Sequence, residues 1–380
     1  MTRKSFSRKL LTCFAVLAVL CAMLAVSVQA AGKTVYLDAE FGNDSYIGTA
    51  PSAAFATLDK AINSVADGGT IVLMNDYVIS ADYVQPAHTG EIVITGKDGA
   101  TDYKSTLSFP VTKITYLRLS GPTTFRDMTI SMTNFVIFTA NFHAITFDTG
   151  LTVTNGAKYA FVVGGYHGPE SVDLPADLDS HITINSGTLY KVCGFTRNKG
   201  AGTMTYTGTS HITLNDGTVT EIYGGSLVNH YAGNTDIVIN GGTVSAVYTA
   251  GDVTRQMLGN AKVTVNGGVV GKLSVNNTMG EVKVYLYGGR VGTAAVEYAN
   301  DTLKKNAEKT RMLKAIFCDA TLFGPTQIER FKETFDAYEN LAKVYVKAGG
   351  TGDGSTADKP VGTLAEGYNN DWLQRAIIKG

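Results

Sequence analysis

The sequence predicts an all-β fold, a solenoid of stacked parallel strands with an N-terminal capping helix and C-terminal helices, and three observations carry that expectation. Five segments between His181 and Val291 repeat one pattern registered on a glycine. Within each copy apolar residues alternate, the period of a strand with one buried face. Composition agrees: 42 Gly against 8 Pro and only 17% charged residues describe a turn-rich chain that is not collagen-like, and 44% hydrophobic content in 380 residues supplies an extensive core and excludes disorder. The formal charge of −1 shows no basic excess, which argues against a nucleic-acid partner.

Taken in chain order, the first element is an address. Arg3, Lys4, Arg8 and Lys9 precede an almost wholly apolar stretch from Leu10 to Val28, and Val28-Gln29-Ala30 offers small residues at the positions a signal peptidase reads. Residues 1–30 are therefore expected to be a secretory signal peptide, cleaved after Ala30; an uncleaved N-terminal anchor is the alternative. Removing them takes four basic and no acidic residues and leaves 28 against 33, a formal charge of −5. No second long apolar stretch follows, so the mature chain is expected outside the membrane, secreted or at the cell surface. Cys13 and Cys21 leave with the signal; Cys193 and Cys318 sit among apolar neighbours and read as buried thiols, although one disulfide remains compatible with an oxidising compartment.

The solenoid is expected over residues 31–300. Its first helix is Thr57 to Ala66, with Leu58, Ala61, Ile62 and Val65 on one face and Asp67-Gly68-Gly69 closing it. A lid of this kind covers strand edges that otherwise invite aggregation. Looser copies of the strand pattern run through Thr123 to Ile130, Ala144 to Phe147 and Leu151 to Gly156. The five clear copies align on Gly187, Gly217, Gly242, Gly268 and Gly289. Two columns precede the glycine: Ile182, Ile212, Ile237, Val263 and Val284, then Ile184, Leu214, Ile239, Val265 and Leu286. Two follow it: Leu189, Val219, Val244, Val270 and Val291, then Val192, Ile222, Val247, Leu273 and Ala294. Each copy thus reads as strand, corner, strand, and such a pair gains partner surface only by stacking on its neighbours at about 4.8 Å.

Beyond Tyr298 the period changes, and residues 301–342 are expected to form a helical C-terminal cap. Asp301 to Ala320 reads as one helix; Thr326 to Lys343 reads as another, with a Thr326-x-x-Glu329 capping box and Ile328, Phe331, Phe335, Tyr338 and Leu341 along one stripe.

Four segments at the start of the mature chain carry a resemblance: Lys33-Thr-Val-Tyr-Leu-Asp38, Gly42-Asn-Asp-Ser45, Phe55-Ala-Thr-Leu-Asp-Lys-Ala-Ile62 and Asp67-Gly-Gly-Thr-Ile-Val-Leu73. Together they resemble the opening of secreted bacterial right-handed parallel β-helix proteins of the pectin-lyase-like group. The resemblance covers most of the mature chain and implies right-handed coiling, in line with the usual hand of parallel crossovers. A second opening follows at Lys343-Val-Tyr-Val-Lys-Ala-Gly-Gly350, Gly352-Asp-Gly-Ser355 and Lys359-Pro-Val-Gly-Thr-Leu-Ala-Glu366. Residues 343–380 are accordingly read as the truncated start of a second β-helix unit, expected to be poorly packed.

That group includes polysaccharide lyases, glycosidases, tailspikes, adhesins and surface proteins without catalysis, so fold leaves function open. No catalytic residue is carried over, because the repeat columns hold Asn, Thr and Gly where a calcium-dependent lyase site needs converging acids. The best acidic cluster is Glu170, Asp173, Asp177 and Asp179. It is the weak candidate for Ca2+, without the spacing of a recognised calcium loop, and a solvated surface loop explains it as well. No other cofactor is expected. Asn185, Asn215, Asn240 and Asn266 form a column expected to hydrogen-bond along the solenoid. His181, His211, Asp236 and Lys262 form another, read as a polar outward face rather than a metal pair. Cys193, Tyr223 and Tyr248 form a third, read as packing under a loop. Tyr166-His167 and His230-Tyr231 combine a flat apolar ring with a hydrogen-bonding group and are the candidate saccharide subsites. The expected function is a secreted or surface β-helix that binds carbohydrate or another surface polymer or serves structurally; a polysaccharide lyase or glycoside hydrolase, and a self-associating scaffold or adhesin, are the alternatives.

Overall fold

The computed structural model describes residues 32–167, 177–195, 203–204, 207–227, 230–251, 256–309, 314–318, 323–335, 337–340, 345–352 and 359–368. The signal-peptide reading of residues 1–30 lies outside them.

The chain coils into a parallel β-helix. One sheet of twelve strands begins at Lys33–Leu37 and ends at Ala337–Asn340, and a nine-stranded sheet runs beside it from Tyr83–Val84 to Arg290–Glu297. Both are parallel throughout. A third sheet of four strands, Tyr77–Val78, Thr106–Phe109, Thr129–Met132 and Thr152–Thr154, closes the earlier coils only. In later coils the glycine corner joins the two large sheets directly, and a short ladder forms on the return connection instead, from Thr203–Met204 to His230–Tyr231 and on by single bridges to Met257 and Thr278.

The register follows the glycine-aligned columns residue for residue. Ile182 pairs with Ile212, then Ile237, Val263 and Val284; across the corner Leu189 pairs with Val219, Val244, Val270 and Val291. These side chains fill the lumen and are almost wholly excluded from solvent. Corner glycines make the turn possible: Gly242 has φ +67°, and a Cβ there would stand 2.6 Å from the Gly217 carbonyl oxygen of the preceding coil. An L side chain meets both a left-handed backbone and a clash.

The opening motif has a clear physical task. Asp44 accepts hydrogen bonds from the amides of Ala56 and Thr57 and from the Thr57 hydroxyl, tying its loop to the start of the helix Leu58–Ser64. Burial alone would raise the Asp44 carboxyl; the Thr57 and Ala56 bonds and nearby Lys60 outweigh it and hold it below the usual range. Thr57 caps that helix by accepting from the Lys60 amide, and Leu58, Ala61 and Ile62 turn into the core.

At the other end the structure corrects the helical reading. The helices are shorter, Asp301–Lys309 and Pro325–Thr334, and each is followed by a strand, Lys314–Cys318 and Ala337–Asn340, that extends the twelve-stranded sheet. Free edge groups on Val282–Leu286 offer the first of these strands a ladder that helix propensity does not match. The second helix starts at Pro325 with Gly324 as its cap, and no side-chain capping bond forms there, so the Thr326/Glu329 box is not used. Proline suits this first position because its missing amide would have no partner anyway. The helix lies along the last strand of the nine-stranded sheet, where Gln327 Nε2 donates to the Val291 carbonyl and Thr334 Oγ1 to that of Ala294.

The second opening repeats the bonds of the first. Phe55 donates its amide to Tyr36 and Val361 donates to Tyr345; Asp38 donates to Phe55 and Lys347 to Val361. Each makes a parallel bridge, Leu37 to Phe55 and Val346 to Val361. The helix Leu364–Tyr368 stands where Leu58–Ser64 stands in the first copy. Packing differs: Leu58 is 3% exposed and Leu364 82%. No described helix is long and apolar enough to cross a membrane.

Candidate functional site

Period-2 geometry sends alternate residues of each strand outward, and stacking turns each outward position into a column. On the nine-stranded sheet the outward positions build a second apolar cluster, separate from the lumen: Ile137, Phe161, Val163, Cys193, Tyr223 and Leu227, with Tyr116 and Tyr248 packed against it. Tyr223 and Tyr248 are register neighbours, their rings stacked at 4.8 Å and 10°.

Charges frame these rings. Lys191 Nζ lies 5.5 Å from the Tyr223 ring centre and 2.7 Å from Glu221, whose carboxylate also accepts from the Tyr223 hydroxyl. Lys272 Nζ lies 5.6 Å from the Tyr248 ring and 2.8 Å from Glu297. Ser274 Oγ donates to Glu297 as well. Burial alone would raise the Glu297 carboxyl, but these two hydrogen bonds and the lysine charge hold it below the ordinary range. Tyr223 is buried at 5% exposure and Tyr248 is half-buried, so Tyr223 backs the stack and the Tyr248 ring, edged by the Lys272–Glu297 pair, is the part able to meet a flat apolar face.

The predicted subsite residues do not form one platform. His167 is buried, its ring 5.3 Å from Tyr116, while Tyr166 beside it is half-buried. Tyr231 belongs to the lumen at 1% exposure; its hydroxyl donates to the carbonyls of Gly208 and Asn234, and its ring packs 4.3 Å from Phe195. That ring is therefore a core element and not a saccharide platform, because its hydroxyl finds carbonyl partners inside the coil and its apolar face packs on Phe195. His230 takes its place on the short ladder opposite Thr203. The Cys193, Tyr223 and Tyr248 column packs as its reading expected, Cys193 and Tyr223 buried in the outer cluster with Leu227 and Tyr248 half-buried against it.

Glu170 and Asp173 lie outside the described residues. Asp177 and Asp179 are exposed. Asp179 is grouped not with acids but with two imidazoles: the ligating atoms of Asp179, His181 and His211 lie within 4.8 Å of one another. The two rings stack at 4.7 Å and 3°, register neighbours on consecutive coils. Burial chiefly, and then His211, depress the His181 imidazolium below the usual histidine value against the pull of Asp179. Two nitrogens and an oxygen suit a borderline metal ion and not the all-oxygen shell of Ca2+. The asparagine column does hydrogen-bond along the solenoid, and both cysteines are buried thiols without a disulfide.

Compared with known proteins, the chain matches no family model, no curated protein and no solved structure.

Proposed function

We propose that this chain is a secreted or surface-displayed β-helix of the pectin-lyase-like kind that works as a binding and structural module for carbohydrate or another surface polymer. The observation that supports it is the half-buried Tyr248 ring, backed by the buried Tyr223 and flanked by the Lys272–Glu297 pair, which sets a flat apolar surface beside fixed hydrogen-bonding groups. A glycosidase needs a carboxylic acid held high to donate its proton. Glu297, the acid on this face with a shifted carboxyl, is held low. Held low, Glu297 serves as the ion-pair partner of Lys272 and not as a proton donor.

The test is retention on a glycan array and on insoluble polysaccharides, with product release from pectin-like and alginate-like polymers followed in the presence of Ca2+. Retention without product, lost in Tyr248→Ala, supports the reading; release of unsaturated or reducing ends, or retention indifferent to Tyr248, overturns it.

A second reading, self-association through the C-terminal unit, is favoured by the exposure of Tyr345, Val346 and Leu364.

A further inference from the structure

The column that reads His181, His211, Asp236, Lys262 on the outer face of the twelve-stranded sheet contains a local break in an otherwise simple polar series. Two imidazoles in succession are brought face to face by the parallel register, and the coil supplies a third donor beside them. Asp179 stands two residues before His181, on the same outward side of the strand. Its Oδ1 accepts from the Thr209 amide at 2.6 Å, two residues before His211, so the carboxylate is fixed across the gap between the two coils.

We propose that Asp179, His181 and His211 form a binding site for one divalent transition-metal ion that clamps two consecutive coils. Metal–nitrogen and metal–oxygen bonds of about 2.0–2.2 Å place neighbouring donors roughly 3–4 Å apart. The three donor atoms already lie within 4.8 Å, and turning the two stacked rings about their side-chain torsions, so that both ring planes meet at the ion, closes the shell while the backbone stays in register. Asp236 strengthens the site from the next coil. Its Oδ2 lies 4.0 Å from His211 Nδ1, and its Oδ1 is buried with no hydrogen-bond partner among the described residues. A buried carboxylate oxygen without a donor is costly unless positive charge stands near. Lys262, 3.9 Å from Asp236 Oδ2, supplies part of that charge, and a metal ion one coil away supplies more. Imidazole nitrogen selects Cu2+, Ni2+ and Zn2+ over Ca2+ and Mg2+. The site is independent of the Tyr223/Tyr248 face, which lies on the other sheet.

The experiment is titration of the full chain, free of any histidine tag, with Cu2+ and with Zn2+ by calorimetry, and electron paramagnetic resonance of the Cu2+ form. One ion per chain is expected, with nitrogen hyperfine structure from two imidazoles and no displacement by excess Ca2+. His181→Ala, His211→Ala and Asp179→Asn should each weaken binding by about tenfold or more, while His88→Gln, at a histidine three coils before His181, leaves it unchanged. Circular dichroism of each variant separates loss of a ligand from loss of the fold. The absence of a stoichiometric site, or binding that survives the His181→Ala/His211→Ala double variant, overturns the proposal.

Discussion

Asn215 Nδ2 donates to Asn185 Oδ1 at 2.7 Å, and its own Oδ1 accepts from Asn240 Nδ2 at 2.6 Å. The chain of amides begins at Asp148, which accepts from Asn185, and ends at Asn266. Each corner is thereby tied to the one before it. Asn215→Ala removes two such bonds at a partly solvated site and is expected to cost about 1–2 kcal/mol; denaturant unfolding of variant and parent measures it.

The corner turn itself is less forgiving. Gly242→Ala forces a Cβ into a left-handed backbone and against a neighbouring carbonyl, at a cost of about 1–3 kcal/mol or more if the coil shifts. Gly99 also has positive φ, but a Cβ there would meet nothing within 4 Å, so Gly99→Asn is expected to be nearly neutral. Comparing the two melting temperatures separates steric closure from backbone conformation.

Stability should fall on mild acidification. Burial chiefly, and then the neighbouring His88, hold the His143 imidazolium below the ordinary value of 6.5. The folded chain therefore binds this proton less readily than the unfolded chain, so the contribution is fully present above about pH 6.5 and is lost as pH falls through the folded value. Unfolding curves at about pH 7.5 and about pH 5.5 should differ less in His143→Gln than in the parent. An equal difference in both would show that His143 does not titrate this way.

Leu58 and Leu364 occupy equivalent places with opposite exposure. Leu364→Glu is expected to leave the melting temperature unchanged and to reduce light scattering that grows with concentration. Leu58→Glu should destabilise the chain by several kcal/mol, of order 3–5, because it places a charge in the core cluster.

The repeat was legible because a parallel solenoid imposes the same demand on every coil: Ile182 and Ile212 face one lumen, and the corner after each needs a residue that tolerates positive φ. The same logic exposed the asparagine, histidine and tyrosine columns, since positions equivalent in the repeat become neighbours in the sheet. Legibility ended where the repeat ended. Residues Lys314–Cys318 form a strand by pairing with the edge left by Val282–Leu286, and pairing across such a distance leaves no local periodicity strong enough to override a helical neighbourhood.

Sequence alone thus determined the coil, its register and the corners, because those follow from local alternation repeated at a fixed interval. Tertiary structure decided which outward columns remain accessible and which become core: Tyr231 turned inward onto two carbonyls, His167 went under Tyr116, and Asp179 joined two imidazoles stacked across consecutive coils. Those outcomes depend on how connections between coils fold back over the sheet, and a connection's path is set by the surface it lands on rather than by its own residues.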